Sequence, residues 1–270
     1  MNSKDPLGDR MKADYESRTR YYLPRRTYTL IRVDGKAFHQ YTKGCERPYD
    51  LGLMEDMDAA AVALCQNIEG ARLAFVQSDE ISVLLTDFAN PQSEAWFDGS
   101  LQKICSLSAS IATAYFNQAR SVRDNSAVST ALFDSRVWTI PQAIEVYNYF
   151  LWRQQDASRN SLSMTAQAHF PHERLQGLGN AEMQELLWSE KQINWNDLPA
   201  GFKRGRVVER VAVSKSVEYV DKRTGAEKRQ ENVTRHEWRV TEPPVFSQEK
   251  EWLMGRIPLH FSDSDVLARG

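Results

Sequence analysis

The succession of strand-like and helix-like stretches between Thr27 and Phe133 restricts this chain more than any other feature. Thr27 to Val33 is β-rich and bounded by Pro24 and Gly35, which predicts a first strand. Asp50 can cap a helix whose apolar positions Leu53, Met54, Met57, Ala61, Leu64, Cys65 and Ile68 recur at three and four, and Gly70 ends it. Arg72 to Val76 and Ile81 to Thr86 read as two more strands, joined by the hairpin-length connection Gln77-Ser78-Asp79-Glu80. From Pro91 a second helical pattern puts Trp96, Leu101, Ile104, Cys105, Ser108, Ile111, Ala112, Tyr115 and Phe116 on one face. After the polar turn Arg123-Asp124-Asn125, Val128 to Phe133 predicts a fourth strand. This order is the ferredoxin-like split unit, an α+β arrangement with the first and third strands side by side at the centre of an antiparallel sheet.

That topology gives meaning to two acidic motifs. Asp34-Gly35 alone is a common turn dipeptide. In this topology, however, Asp34 at the end of strand one and Asp79 at the start of strand three lie at the same sheet edge, on neighbouring strands about 5 Å apart. Two carboxylates so placed can share a pair of divalent cations about 3.5 to 4 Å apart, the arrangement of polymerase palms.

The remainder is less constrained. Gly8 to Glu16 is short, helix-compatible and charged, and Arg18, Arg20, Arg25 and Arg26 follow it. After Pro141, the apolar positions Ala143, Ile144, Val146, Tyr147, Phe150 and Leu151 predict a long helix running through Asp156, which Ala157 to Met164 either extends or breaks. His169 and His172 resemble a metal pair, but Pro171 between them spoils a helical ligand geometry. Arg206 to Val220 and Glu231 to Val240 read as a hairpin around Lys222-Arg223-Thr224-Gly225, a basic tip that either contacts nucleic acid or is simply exposed. Trp252 to Phe261 reads as a closing packing segment. The expected division is a catalytic core over 1–140 and a helical and hairpin extension over 141–270, packed together as one unit.

Composition narrows the class. The 270 residues are 41% hydrophobic and 26% charged, ordinary for a soluble globular protein. The net charge of -2 hides an asymmetry. Between Gly201 and Val240 there are eleven Lys and Arg against six acids, whereas Glu55 to Asp98 holds nine acids and only Arg72 as a base. Such a distribution permits an anionic partner at one end. Cys45, Cys65 and Cys105 have no metal or redox spacing, and the last two fall on apolar helix faces as reduced core thiols. No apolar run approaches the roughly 20 residues needed to span a bilayer, so a cytoplasmic protein without a membrane partner is expected.

The residues resemble the histidine-tRNA 5′ guanylyltransferases and their relatives that polymerise in the 3′-to-5′ direction. The likeness rests on Gly8-Asp9-Arg10-Met11-Lys12 with Tyr15-Glu16, Arg32-Val33-Asp34-Gly35 with Phe38-His39, Gln77-Ser78-Asp79-Glu80, Phe133-Asp134-Ser135-Arg136, and Tyr149 to Asp156. These five motifs stand in the family's order and cover residues 8 to about 164. The resemblance implies a polymerase-like palm in which Asp34, the Gly35 carbonyl and Asp79 hold two Mg²⁺ ions. It implies a nucleoside triphosphate, GTP or another including ATP, on Asp34, Gly35, Lys36, Ala37, Phe38, His39, Ser78 and Asp79. Glu80 takes a supporting rather than a ligating place beside these catalytic carboxylates. Hard oxygen donors suit magnesium, glycine admits close backbone approach, and successive loop amides can cradle phosphates. The implied partners are tRNA and nucleoside triphosphates, and the implied assembly is a homotetramer.

One departure bears on the reaction. Where eukaryotic guanylyltransferases carry His-Ile-Asn-Asn after the Trp-Arg-Gln element, this chain has Ser158-Arg159-Asn160-Ser161. That favours the branch that repairs 5′-truncated tRNA by templated addition over untemplated guanylate addition. Arg153, Arg159 and Asn160 are the candidates for the second phosphate site at the tRNA 5′ end, with an Arg153–Asp156 ion pair as the alternative for Arg153. Two other classes stand beside this one: a palm-fold nucleotide cyclase, and a non-catalytic RNA-binding module. The Trp-Arg-Gln helix and basic hairpin argue against the cyclase, and two carboxylates at meeting strand ends argue against a passive sheet.

Overall fold

The computed structural model describes residues 5–260 except 91, 124–128, 221, 222, 224 and 226. In chain order its main elements are α1 (Pro6–Asp14), β1 (Tyr28–Gly35), α2 (Phe38–Tyr41), α3 (Leu51–Asn67), β2 (Ala71–Gln77), β3 (Glu80–Thr86) and α4 (Leu101–Arg123). There follow β4 (Phe133–Ile140), α5 (Ala143–His169), α6 (His172–Leu175), α7 (Asn180–Lys191), α8 (Ala200–Arg204), β5 (Arg206–Val220), β6 (Glu227–Thr241) and α9 (Lys250–Met254). The strands form one antiparallel sheet in the order β4-β1-β3-β2-β5-β6. The ferredoxin-like order expected for the first four strands is present, with β1 and β3 paired at its heart. The β5–β6 hairpin is stitched onto β2 through Leu73 to Val76, so the C-terminal strands enlarge the same sheet.

Strand alternation sends side chains to two opposite layers. Ile31, Val33, Val76, Ile81 and Val83 pack under α3 and α4 against Met57, Leu64, Ile104 and Phe116. Tyr28, Leu30, Phe75 and Leu84 face α5, where Val146, Tyr149 and Phe150 meet them together with Phe246 and Leu253 from the C-terminal segment. A third cluster, Leu162, Ala166, Phe170 and Leu187, joins the far half of α5 to α7. Helix α5 therefore continues through Ala157–Met164 as far as His169, because its second half has its own apolar partner.

Three expectations change. The fourth strand runs Phe133–Ile140 rather than Val128–Phe133, with Gly35 opposite Phe133 and Tyr28 opposite Ile140; Val128 itself lies outside the described residues. The reason is local: the Asn117 side chain bonds both backbone groups of Ala131, and the Leu132 carbonyl takes the Lys36 amide at 2.8 Å, so 131–132 is spent as a bracket. Helix α4 starts at Leu101, not near Pro91, which lies outside the described residues; Trp96 sits in a short 3₁₀ turn. Phe97, Asp98 and Gly99 there have φ of 50°, 53° and 74°, which reverses the chain before the helix can begin. Within α4, Tyr115 is 41% exposed while Ile104, Ser108, Ala112 and Phe116 face inward. Cys65 is a core thiol whose pKa burial pushes up, whereas Cys105 is only half-buried; both are free, as is Cys45.

His169 ends α5 and His172 starts α6, on either side of the helix break. Among the described residues no group of three or more His, Cys, Asp or Glu could hold a metal ion, and no helix is long and apolar enough to cross a membrane. Lys222 and Thr224 of the expected basic tip lie outside the described residues.

Candidate active site

At one edge of the sheet, the face turned toward α5 changes from apolar to charged. Along β1 the sequence on that face is Tyr28, Leu30, Arg32, Asp34; along β4 it is Ile140, Trp138, Arg136, Asp134. Asp34 lies between Asp134 on β4 and Glu80 on β3 in register, so three carboxylates cross three adjacent strands in a row. The next row inward is basic, Arg136 beside Arg32. Arg136 reaches both Asp34 and Asp134, at 3.8 and 3.7 Å.

Asp79, expected at the start of strand three, lies one residue before it. It occupies the two-residue turn Ser78-Asp79 that Gln77 and Glu80 close, and Glu80 is the cross-strand partner of Asp34. The turn is nevertheless bound to the end of β1, because the Gly35 amide donates to the Asp79 carbonyl at 3.0 Å. Ser78 takes φ of 45°, a conformation that few non-glycine residues adopt and that the hairpin closure imposes. Burial raises the pKa of the Asp79 carboxyl, and the negative charges of Asp34 and Glu80 raise it further against hydrogen bonds from its own amide and Ser78. Among the described residues Asp79 makes no salt bridge.

This edge opens into a cavity of about 540 Å³, within the range of roughly 300 to 1,000 Å³ typical of small-molecule sites. Asp34, Gly35, Ala37, Phe38, His39, Ser78 and Asp79 line it; Lys36 is exposed and does not. The Gly35 and Lys36 amides are occupied by the Asp79 and Leu132 carbonyls. Those of Ala37, Phe38 and His39 donate to no backbone carbonyl among the described residues. Ala37 is left-handed, at φ 54° and ψ 36°. Phe38 doubles as core: its ring is 5% exposed and lies 5.1 to 5.5 Å from those of Tyr41, Phe116 and Phe133.

Much of the cavity wall escaped the sequence reading. Thr42, the stretch Cys45 to Asp50, Leu53, and Met164 and Gln167 of α5 complete it. Asp50 was legible only as a helix cap. It does cap α3, accepting from Leu53 at 2.9 Å, and its other oxygen accepts from Glu46 at 3.1 Å, which holds the loop in place. Burial opposes ionisation of Asp50, but these backbone donors and the charges of Arg123 and Arg120 prevail and lower its pKa.

The three candidates for the second phosphate site separate. Arg153 is 6% exposed beneath the sheet, with Nε on Glu80 Oε1 and Nη2 on Glu80 Oε2, both at 2.8 Å, and Nη2 also on Asp156 at 2.9 Å. Its guanidinium thus makes the Asp156 ion pair and a second, stronger one that no sequence spacing reveals. Asn160 lines a smaller cleft continuous with the main cavity through Tyr49, Ser78 and Met164. Arg159 opens instead toward a separate cavity of about 310 Å³ beside Arg204 and Trp195. What Arg153, Arg159 and Asn160 share is Asp156, which all three contact.

The family model described as tRNAHis guanylyltransferase matches residues 8–141, and that of the Thg1 C terminal domain matches 144–245. The tRNA(His) guanylyltransferase of Schizosaccharomyces pombe is 30% identical over 221 residues, 77% of this chain and 82% of the relative. Among solved structures, a bacterial tRNA(His) guanylyltransferase (Thg1)-like protein in complex with ATP is 43% identical with a TM-score of 0.80, covering 94% of this chain and all of the other. A bacterial Thg1-like protein in complex with GTP is 38% identical with a TM-score of 0.73, with the same coverage. With both of its halves matched in order and its palm-like sheet shared with these structures, the chain belongs to the tRNA(His) guanylyltransferase family.

Proposed function

We propose that this chain is a nucleotidyltransferase that adds nucleotides to the 5′ end of tRNA in the 3′-to-5′ direction, with templated repair of truncated 5′ ends as its main task. The observation that carries the proposal is the meeting of Asp34 and Asp79 at the mouth of a nucleotide-sized cavity whose loop presents the amides of Ala37 to His39. The donor set suits magnesium: two carboxylates and the Gly35 carbonyl are hard oxygen ligands, and a cation would offset the burial and the Asp34 and Glu80 charges that raise the pKa of Asp79. When bound there, a pair of Mg²⁺ ions would acidify the attacking 3′-hydroxyl and neutralise phosphate charge.

The protein's own part is positioning. Ala37, Phe38 and His39 hold the triphosphate, and Ser78 and Asp79 close over its reactive end. Lys36 adds a point charge at the rim. Asn160, next to the cavity, and Arg159 receive the phosphates of the tRNA 5′ end. Against the non-catalytic reading stands Asp79, buried beside Asp34 and Glu80 with no salt bridge among the described residues, a placement that is costly for a passive sheet. Assembly as a homotetramer and a cytoplasmic location complete the proposal.

Templated repair has a direct test. Incubating the protein with tRNA lacking its first residue and each nucleoside triphosphate in turn is expected to add the nucleotide that pairs with the acceptor-strand partner. Guanylate addition whatever the template would instead assign the chain to untemplated guanylylation.

A further inference from the structure

The buried pair of Glu80 and Arg153 is the feature that the proposed chemistry leaves unused. Of the buried positions of α5, only Arg153 carries a charge; the others include Val146, Tyr149, Phe150 and Ala157. A buried ion pair is seldom worth more to stability than apolar side chains of the same size, so packing alone does not account for it. The pair is also well made. Both Glu80 oxygens are held by one guanidinium at 2.8 Å, with Ser82 Oγ donating to Oε1 at 3.3 Å and Arg32 Nε 3.9 Å from Oε2. Glu80 is therefore fully engaged within the protein and does not line the cavity.

Its neighbour in sequence is Asp79, in a turn whose backbone is already unusual at Ser78. That turn is fixed at three points: the Gln77–Glu80 closure, the Gly35 amide on Asp79, and Arg153 on Glu80. On the other side Arg153 holds Asp156, and Asp156 accepts from Arg159 at 3.0 Å and lies 3.4 Å from Asn160 Nδ2.

We infer that Arg153 is a positioning residue: by clamping Glu80 it fixes the orientation of the Asp79 carboxylate, and through Asp156 it ties the metal-facing turn to the Arg159 and Asn160 side of α5. The inference rests on the reading of Asp34 and Asp79 as the cation-binding edge. Arg153 touches no substrate in this account; it makes two parts of the site, carried by elements far apart in sequence, into one rigid unit.

The test uses Mn²⁺ as the probe, with its affinity for the full chain measured by electron paramagnetic resonance. R153K keeps the charge but cannot hold both Glu80 oxygens. It is expected to weaken Mn²⁺ binding about tenfold, the lower end of what residues supporting metal ligands contribute. It should also lower kcat more than it raises KM for the nucleotide. R256K, which loosens the Arg256–Glu209 pair away from the cavity, is expected to leave Mn²⁺ affinity unchanged and so controls for general destabilisation. Unchanged Mn²⁺ affinity in R153K, or an equal fall in R256K, overturns the clamp. If R153K does not fold, D156N decides: weaker Mn²⁺ binding supports the clamp and unaltered binding overturns it. Retained Mn²⁺ affinity in D34A would instead contradict the cation site itself.

Discussion

Asp34→Ala and Asp79→Ala are each expected to reduce magnesium-dependent incorporation of labelled nucleotide into 5′-truncated tRNA on the order of 10³-fold, with the fold intact. The size follows from what a bound cation supplies, several kcal/mol of charge stabilisation in the transition state, at about 1.4 kcal/mol per factor of ten. The two variants should differ in stability. Asp34 is partly exposed and its contact with Arg136 is long, so its loss is nearly neutral. Asp79 is desolvated and repelled by Asp34 and Glu80, so the alanine variant is expected to melt at an equal or higher temperature than the parent. Gains of stability on removing a strained functional group are a familiar trade. Thermal melts alongside the incorporation assay check both halves; full activity in either variant removes that residue from the site.

The second large effect is expected from Gly35→Ala. A Cβ at Gly35 would stand 2.2, 2.5 and 2.6 Å from Cδ2, Cε2 and Cγ of Phe38. The ring cannot yield freely, because it is packed among Tyr41, Phe116 and Phe133. Overpacking of this kind costs about 1 to 3 kcal/mol. The displacement passes directly into the loop proposed to hold the nucleotide, since Phe38 sits between Ala37 and His39, both of which line the cavity. KM for the nucleoside triphosphate should therefore rise by about tenfold or more, together with a loss of thermal stability, on the scale that each 1.4 kcal/mol is a factor of ten. Phe38→Leu in the same chain should recover part of both losses, because the two sites share one contact and their effects do not add. A G35A variant with parental KM would show that the loop does not hold the nucleotide.

Sequence patterning revealed the topology because each of the first three strands and α3 buries a face whose period is visible locally. Asp34 and Asp79 could be placed at one edge from strand order alone. The exact partner could not: Asp79 stands one position before the strand residue opposite Asp34, and only the hydrogen-bonded register identifies Glu80 there. The fourth strand was misplaced because Asp134, Ser135 and Arg136 look like loop residues, although their polarity reflects the charged end of the sheet they enter. The cavity wall from Cys45 to Asp50 has no periodicity to read, and Met164 and Gln167 join it only because α5 continues beyond the stretch where its near-side pattern fades. The pairing of Arg153 with Glu80 spans 73 residues and was invisible beside the nearer Asp156.

The most direct measurement uses a tRNA that lacks its first residue and whose 3′ end has been blocked by periodate oxidation, so that growth can occur only at the 5′ end. With Mg²⁺ and the nucleoside triphosphate that pairs at the missing position, a product one nucleotide longer is expected, with the new residue at the 5′ terminus. A failure to lengthen this substrate, with the same protein active on an unblocked 3′ end, would contradict the proposed 3′-to-5′ addition.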